Sequence, residues 1–460
     1  MLLFELLVQV LDKKLAGLLQ SLPTFGRFND EGFISSHGCI VLSKVQGLLF
    51  TIFQTQIRPS ALLHNFPYAT GALTDRLIRL YCRMNQFKVI VSRFGAKLLR
   101  YCLAIVVSGG PVVLWAREAP LDPRHPKVQK ALAAQAQLTP ELMQQLPDVL
   151  GTAISLSETG EPELMVFVDW DGRGVAHVLG ALPPSWRGVG IRVHLTDKFR
   201  ALKGKPGQGV SHSAPQTPPI QLGTSGGWGL DLANGYCCGG TLGALLQVNG
   251  IRYILGNYHV FEGDIVPGGN GLVAQDGDPV IQPGLLDVGC EFSRAQIVGG
   301  LVKLNALPEG NVDCSVALAA EGMVRPDGAI LGIGTLSTNT AAAFLNQPVK
   351  KSGRTTGLTH SKVSALNATV RVLYEDECAG ATAFTKTFTG QIVVANRGAK
   401  FMAPGDSGSV LVEDVPVNPR AVGLLYAGSS TSAIANPIQE VLEFVGSKLG
   451  GPATIVGAGD

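Results

Sequence analysis

The sequence is poor in charge. Only 16% of its 460 residues are charged, whereas 46% are hydrophobic. This composition argues against a largely disordered chain, because disorder requires high charge and few apolar residues. The 24 basic and 29 acidic side chains of residues 120–460 leave that part mildly acidic, without the basic stripe that a nucleic-acid surface needs. We therefore predict that nucleic acid is not a partner.

The sequence also lacks metal-ligand spacing. Among its eight cysteines, Cys237 and Cys238 are adjacent and no pair of histidines accompanies them. Zinc sites instead use cysteines and histidines separated by two to five residues. The five cysteines after residue 200 are odd in number, so at least one thiol there is free or pairs between chains. We predict no metal and no cofactor, and the pattern allows one or two disulfides.

Residues 1–83 lack sustained periodicity and good helix caps. Apolar stretches such as Leu15–Leu22 and Gly47–Phe53 stand alone. We interpret this region as a poorly ordered extension, or as sequence upstream of the true start, rather than as a folded domain.

Residues 84–119 have the order of a secretory signal. A basic segment that begins at Met84 is followed by an apolar run of residues 101–116, which a Ser-Gly-Gly-Pro sequence interrupts. This run is short for a membrane span. We predict export, and hence a secreted or periplasmic protein. The alternatives are a membrane anchor that retains residues 98–116, and a buried helix.

Residues 120–203 combine one helical pattern with three strand-like runs. Apolar residues near helical spacing predict a helix over Pro126–Leu146. Three β-rich runs predict strands at Gly151–Leu156, Leu164–Val168 and Gly190–Leu195. This pattern is typical of a small α/β domain, which could be a pro-segment, a folding aid or a partner-binding module. A linker rich in Gly, Ser and Pro follows over residues 204–225.

From residue 226 onward the apolar segments are short and β-rich. Gly, Asp, Asn and Pro separate them, which favours an all-β barrel or sandwich. Apolar residues at helical spacing over Asn436–Leu449 predict a closing amphipathic helix, and residues 450–460 form a tail. The predicted fold class is mainly β, preceded by a small α/β domain.

The strongest chemical signal is Gly405-Asp406-Ser407-Gly408, directly before an apolar strand. An attacking serine needs a base for its proton and preorganised donors for the oxyanion that forms. A glycine two residues before the serine lets the backbone N–H groups of Gly405 and Ser407 point at one oxyanion, because a side chain there could obstruct the turn. We predict Ser407 as the nucleophile and these two amides as the oxyanion hole.

His259 and Asp313 are the best partners for this serine. His259 appears just after the apolar strand that ends at Gly256, and Asp313 heads the apolar run Cys314–Leu318. A carboxylate in that position can hold an imidazole in the correct tautomer and stabilise its charged form. The alternative for His259 is a structural histidine. Weaker candidates for the carboxylate lie in Gly/Pro-rich loops, at Asp264, Asp276, Asp278 and Asp287.

In the order His259, Asp313, Ser407, the sequence resembles the chymotrypsin/trypsin-like serine peptidases, and specifically bacterial trypsin-like peptidase domains. Four stretches support this: Cys238-Gly239-Gly240-Thr241-Leu242, Asn257-Tyr258-His259-Val260, the residues 277–284, and Lys351-Ser352-Gly353-Arg354-Thr355-Thr356-Gly357-Leu358-Thr359. Over residues 226–449 the resemblance implies two packed β-barrels and a C-terminal helix. His259 and Asp313 would come from the first barrel and Ser407 from the second.

The resemblance also implies where substrate would bind. Phe401 stands at the base of the primary specificity pocket of trypsin-like enzymes, which implies a small or apolar preference rather than Arg or Lys. Tyr426, Ala427 and Gly428 would be the edge strand that binds substrate backbone. The sequence Ile297-Val298-Gly299-Gly300 resembles a zymogen activation sequence, but it lies between His259 and Asp313, where cleavage could not create the usual new N-terminus. The partner of Asp406 therefore stays open.

The predicted function is a serine endopeptidase that acts on protein or peptide substrates through an acyl-enzyme. The alternative is a catalytically inactive peptide-binding or regulatory module that keeps the fold. A non-peptidase esterase is less favoured, because the residues around Ser407 do not form a Gly-x-Ser-x-Gly elbow.

Overall fold

The computed structural model describes residues 121–201, 211–233, 236–262, 274–374 and 384–459. Glu118–Asp460 is one compact unit. The predictions for residues 1–83 and 84–119 lie outside the described residues. Within the described ranges, no helix has both the length and the apolar character needed to cross a membrane.

In the described residues the helices are few and the strands are many. The helices are α1 Pro126–Gln145, α2 Val175–Ala181, α3 Tyr258–Phe261 and α4 Ile438–Leu449, and short 3-10 turns lie at Ser211–Ser213, Leu285–Asp287, Phe292–Arg294 and Arg397–Ala399. The strands before residue 210 are β1 Val149–Leu156, β2 Pro162–Asp169, β3 Ser185–Trp186, β4 Val189–Thr196 and β5 Phe199–Ala201. The next are β6 Thr224–Trp228, β7 Leu232–Ala233, β8 Tyr236–Cys237, β9 Gly240–Leu242, β10 Leu245–Val248, β11 Ile251–Gly256, β12 Pro279–Gln282, β13 Gln296–Val302 and β14 Ser315–Ala319. The last are β15 Pro348–Gly353, β16 Gly357–Tyr374, β17 Phe384–Ala395, β18 Val410–Glu413, β19 Ala421–Gly428, β20 Ser432–Pro437 and β21 Thr454–Ile455.

The first of the two large sheets has eight strands in the order β21-β10-β11-β14-β13-β12-β6-β9. Its register places Gly256, at the end of β11, opposite Ser315, at the start of β14. The segment that follows β11 therefore lies beside the segment that precedes β14. This neighbourhood is where the sequence places His259 and Asp313.

The second sheet contains a closed antiparallel barrel. Its strands run in the order β15-β18-β19-β20-β17-β16, and β15 pairs with β16 as well, which closes the ring. Strand β16 is 18 residues long, so it extends beyond this ring and offers further pairing positions to β1 and β5. The mainly-β fold class and the C-terminal helix are confirmed, and the eight-stranded sheet and this closed ring are called the first and the second barrel below.

The strands predicted before residue 203 are present, and they continue the second sheet. β1 runs antiparallel to β16, and β2 and β4 extend the sheet beyond β1. Alternate residues of β2 enter two different cores, since Val166 packs with the residues of α1 whereas Phe167 belongs to a core that residues of both large sheets share. The predicted domain boundaries at 203 and 226 stay a prediction.

Strand β5 lies between two strands of the barrel. Its three residues run parallel to Val372–Tyr374 of β16 and antiparallel to Ala427–Gly428 of β19. Phe199 anchors the strand, because its side chain is fully buried and meets Phe167 edge to face at a centroid distance of 5.2 Å. The residues before the linker therefore occupy an edge of β19.

His194 should make the stability of this region depend on pH. Its Nε2 lies 3.0 Å from Oγ1 of Thr431, and burial, followed by the charge of Arg192, lowers its pKa below the ordinary 6.5. The unfolded chain then binds this proton more readily than the folded chain, so stability is lost as the pH falls below about 6.5. We expect the melting temperature to fall between pH 7.5 and 5, and to fall less in His194→Gln. Equal acid sensitivity in both proteins would contradict this assignment. The variant should keep some dependence of its melting temperature on pH, because burial also lowers the pKa of His212.

Candidate active site

The three predicted catalytic residues lie at strand ends. His259 belongs to α3, the single helical turn directly after β11. Asp313 precedes β14 and Ser407 lies in the turn before β18. The pairing of β11 with β14 thus brings the first two side chains together.

His259 and Asp313 form a buried pair. The distance from Nδ1 of His259 to Oδ2 of Asp313 is 2.6 Å, and the two side chains are 4% and 0% exposed. The backbone N–H of His259 also faces Oδ1 of Asp313 at 3.4 Å. Because a carboxylate only accepts, Nδ1 carries the proton and Nε2 is left as the acceptor of the neutral ring.

Two asparagines fix the main chain of Asp313. Nδ2 of Asn257 donates to the Asp313 carbonyl at 2.6 Å, and the Asp313 N–H donates to Oδ1 of Asn436 at 2.9 Å. Asn257 comes from the first barrel and Asn436 from β20 of the second. The main chain that carries this carboxylate is therefore held from both large sheets.

Ser407 is buried in the second barrel, and its hydroxyl donates to the Tyr426 carbonyl at 3.2 Å. Nε2 of His259 is buried and has no hydrogen-bond partner among the described residues. The structure therefore joins His259 to Asp313 but does not join the Ser407 hydroxyl to Nε2. Catalytic hydrogen bonds of this kind often tighten only when substrate binds.

The turn that carries Ser407 depends on two glycines and a threonine. Gly405 and Gly408 both have a φ of 96°, and a Cβ on Gly408 would collide with the Thr241 carbonyl oxygen. The Thr241 N–H donates to the Ser407 carbonyl and its hydroxyl donates to the Gly405 carbonyl, both at 2.8 Å. Strand β9 of the first barrel thus holds the turn of the second.

Asp406 pairs with Lys351, a partner that the sequence analysis left open. Nζ of Lys351 lies 3.3 Å from Oδ2 of Asp406, and both side chains are 0% exposed. Asp406 also accepts the N–H groups of Thr355, Thr356 and Ala403 at 2.8 to 3.1 Å. Burial lowers the pKa of Lys351, and the charge of Asp406 opposes that change. The buried carboxylate next to Ser407 is therefore balanced by a side chain of β15.

A second buried ion pair links the two barrels. The Arg354 guanidinium contacts Asp287 through Nε at 2.9 Å and Nη2 at 2.5 Å. Ser225 donates to the same carboxylate at 2.6 Å, and the Arg354 N–H donates to the Thr241 hydroxyl at 3.0 Å. Asp287, one of the weaker candidates for the triad, is thus committed to Arg354.

The predicted substrate-binding residues have different surroundings. Phe401 is 3% exposed and packs in an apolar core, while its carbonyl accepts the hydroxyls of Thr356 and Thr359. Ala427 and Gly428 lie on β19, at the edge that β5 occupies. Tyr426 is fully buried, and its hydroxyl has no hydrogen-bond partner within the described part of the chain.

One tyrosine that sequence reasoning missed contacts the pair. The Tyr374 hydroxyl donates to Oδ2 of Asp313 at 2.8 Å. Tyr374 is the last residue of β16, 61 positions after Asp313. No motif marks it, and only its place at the end of a strand-like pattern sets it apart.

The cysteines near the site are structural. Cys237 and Cys290 form a disulfide, and Cys314 is a buried free thiol next to Asp313. Burial, followed by the charges of Asp313 and Glu262, raises the pKa of the Cys314 thiol well above its ordinary value, which disfavours the thiolate. In the ranges described, no group of three or more His, Cys, Asp or Glu side chains could hold a metal ion.

No protein-family model matches the chain, and no curated protein matches it. Similar solved structures include a glutamic-acid-specific serine protease described as using a histidine triad in substrate binding, with 19% identity, coverage of 51% of this chain and 100% of that chain, and a TM-score of 0.34. Protease A of Thermobifida fusca has 17% identity, coverage of 52% and 99%, and a TM-score of 0.33. Cellulomonas bogoriensis chymotrypsin has 17% identity, the same coverage and a TM-score of 0.32. Likeness at this level says nothing about activity.

Proposed function

We propose that this chain is a serine endopeptidase with His259, Asp313 and Ser407 as its catalytic triad. The observation that carries the proposal is the buried contact of 2.6 Å between His259 and Asp313. It fixes the ring so that Nε2, which has no other partner in the described structure, is the nitrogen left to accept a proton. A purely structural histidine would instead be expected to satisfy both ring nitrogens.

In the proposed reaction Ser407 attacks the carbonyl carbon of the scissile peptide bond. Its proton passes to Nε2 of His259, and Asp313 stabilises the imidazolium that results. The N–H groups of Gly405 and Ser407 stabilise the oxyanion of the tetrahedral intermediate. The intermediate collapses when His259 protonates the leaving amine. Water then hydrolyses the acyl-enzyme, with His259 again acting as base.

The substrate backbone would pair with the edge of β19 at Ala427 and Gly428. In the uncut chain Arg200 and Ala201 already pair with these residues. We therefore expect the chain to be latent until β5 leaves. Of the roles that the sequence allowed, this favours an inhibitory pro-segment for residues 120–203, with residues 226–449 as the peptidase domain.

Export and primary specificity belong to the same proposal. Secretion or a periplasmic location is inferred from the signal-like residues 84–119. A small or apolar preference is inferred from Phe401, whose position holds no acidic side chain. Neither inference is needed for the chemistry at Ser407.

The alternative is a peptide-binding module without turnover. The observation that favours it is the hydrogen bond from Ser407 to the Tyr426 carbonyl, in place of one to His259. In that case β19 would bind a peptide strand and Ser407 would not react.

Labelling with a fluorophosphonate and digestion of a peptide library test the proposal. The full chain would carry a site for a sequence-specific protease within residues 203–210, and would be assayed intact and after cutting and dilution. We expect labelling and peptide cleavage after the cut, and a loss of roughly 10⁴-fold or more in Ser407→Ala. Ser409→Ala, which removes a neighbouring hydroxyl, is the matched control and should keep the label. A cut, folded chain that neither reacts nor cleaves would support the binding module, and ester hydrolysis alone would indicate an esterase.

A further inference from the structure

Asp313 carries a buried charge that needs more than one donor. Its side chain is fully buried, and Oδ2 accepts both Nδ1 of His259 at 2.6 Å and the Tyr374 hydroxyl at 2.8 Å. A buried carboxylate without enough donors is costly, since the desolvation of its charge is not compensated. Tyr374 thus supplies the second side-chain hydrogen bond to the carboxylate.

Tyr374 also contacts the imidazole itself. The rings of Tyr374 and His259 meet edge to face, with centroids 6.1 Å apart and an interplanar angle of 75°. One side chain therefore touches both partners of the pair. A rotation of either the carboxylate or the imidazole would break a contact with it.

The titratable groups around the pair keep Tyr374 in its donor form. Burial, followed by the charge of Asp313, raises the pKa of Tyr374 well above its ordinary value of 10. Burial likewise raises the pKa values of the other phenols and of the acids and thiols nearby, at Tyr258, Glu262, Cys314 and Tyr426. The hydroxyl of Tyr374 thus remains protonated at neutral pH and can donate.

Tyr426 shows that burial alone does not create such a bond. It is as fully buried as Tyr374 and lies near the same carboxylate, yet its hydroxyl has no hydrogen-bond partner among the residues described. Phe388 packs between the two rings, at centroid distances of 6.3 Å from Tyr374 and 4.9 Å from Tyr426. The hydrogen bond from the Tyr374 hydroxyl to Asp313 is therefore not a general consequence of burial.

We propose that Tyr374 is a positioning residue for the triad, whose hydroxyl holds the Asp313 carboxylate with Oδ2 towards Nδ1 of His259. The edge of its ring fixes the imidazole in the same arrangement. Tyr374 acts through Asp313 and His259 and does not touch the reacting atoms. The kinetic part of this inference rests on the proposed peptidase function, and the geometric part does not.

The test compares Tyr374→Phe with the wild type in the full chain. Proton NMR at fixed pH observes the Nδ1 proton of His259. We expect its resonance to move further downfield in the variant, because Oδ2 of Asp313 loses its second donor and binds the remaining proton more tightly. In the cut chain we expect kcat to fall about 10- to 100-fold with KM unchanged, the effect of losing one hydrogen bond to a charged group.

Phe388→Leu is the matched control, since it removes packing against Tyr374 but no hydrogen bond to Asp313. It should lower the melting temperature and leave both the resonance and kcat in place. If Tyr374→Phe behaves in the same way, the positioning role is overturned. A wild-type spectrum without a Tyr374 hydroxyl proton close to the Nδ1 proton would overturn it without any variant.

The two proposals fail separately. A displaced Nδ1 proton in a protein whose cut form does not react with a fluorophosphonate would support the positioning role and overturn the peptidase function. An active protein whose resonance and kcat are unchanged in Tyr374→Phe would support the peptidase function and overturn the positioning role.

Discussion

Replacing Lys351 with methionine is expected to destabilise the folded protein by about 3–5 kcal/mol. The substitution keeps most of the side-chain volume but leaves the Asp406 carboxylate buried without its counter-charge, because both side chains are 0% exposed. Three backbone N–H groups would still bind this carboxylate. Since they provide hydrogen bonds but no net charge, they would compensate only in part.

The substitution should also affect Ser407, the proposed nucleophile. Asp406 directly precedes Ser407, and its hydrogen bonds to Thr355 and Thr356 tie the turn to the segment after β15. Rotation of the carboxylate towards solvent would move the turn, and with it the Ser407 and Gly405 amides that are proposed to form the oxyanion hole. We therefore expect fluorophosphonate labelling of the cut chain to fall together with stability.

Lys350→Met is the control for this experiment, because it changes the neighbouring residue on the same strand. Nζ of Lys350 donates to the Val415 carbonyl at 2.6 Å, and no buried acid depends on it. Its loss should cost about 1 kcal/mol, the value of one ordinary hydrogen bond. Urea unfolding monitored by fluorescence measures both variants. Similar losses of stability would show that Asp406 does not depend on Lys351 for its charge balance.

The pairing of Asp406 with Lys351 also shows where sequence reasoning stops. The stretch that begins at Lys351 was identified from its resemblance to bacterial peptidases, and Asp406 was identified from the serine turn. Nothing in either stretch states that they meet, because the contact is made by the closure of the barrel through β15 and β18. The local sequence pattern predicts which residues belong to the site, whereas long-range strand pairing decides which of these residues contact one another.

Much of the fold could be predicted because its local signals are strong. The helix over Pro126–Gln145 has 20 residues of helical pattern, and β1, β2 and β4 are eight-residue strands rich in Val, Ile and Leu. Short elements gave no such signal. The seven residues of α2 are fewer than two helical turns, and β5 has only three residues, so neither shows a full period.

The candidate site divides in the same way. His259 and Asp313 were predicted from their places at strand ends, and the structure brings them into contact. Tyr374 could not be predicted, because its role depends on how far β16 extends past the barrel. The occupation of β19 by β5 could not be predicted either, since it depends on register between residues 226 positions apart, such as Ala201 and Ala427.

Replacing Ala201 with proline is expected to raise the initial rate of peptide hydrolysis by the uncut chain about 100-fold. Ala201 is 5% exposed and is flanked by Tyr374 on one side and Ala427 on the other. Proline has no N–H to donate and is poorly tolerated between two strands, at a cost of about 3 kcal/mol. That cost corresponds to a change of about 100-fold in the population whose β19 edge is open.

Arg200→Ala separates this effect from a general loosening of the segment. It shortens the neighbouring side chain but keeps the backbone of the residue that lies opposite Gly428. The rate of this variant should stay within about twofold of wild type, because the peptide ladder is intact. If the proline variant is no faster than wild type while the cut chain is active, β5 does not inhibit the site. Latency would then have to come from the linker or from another part of residues 120–203, because cutting and dilution remove both.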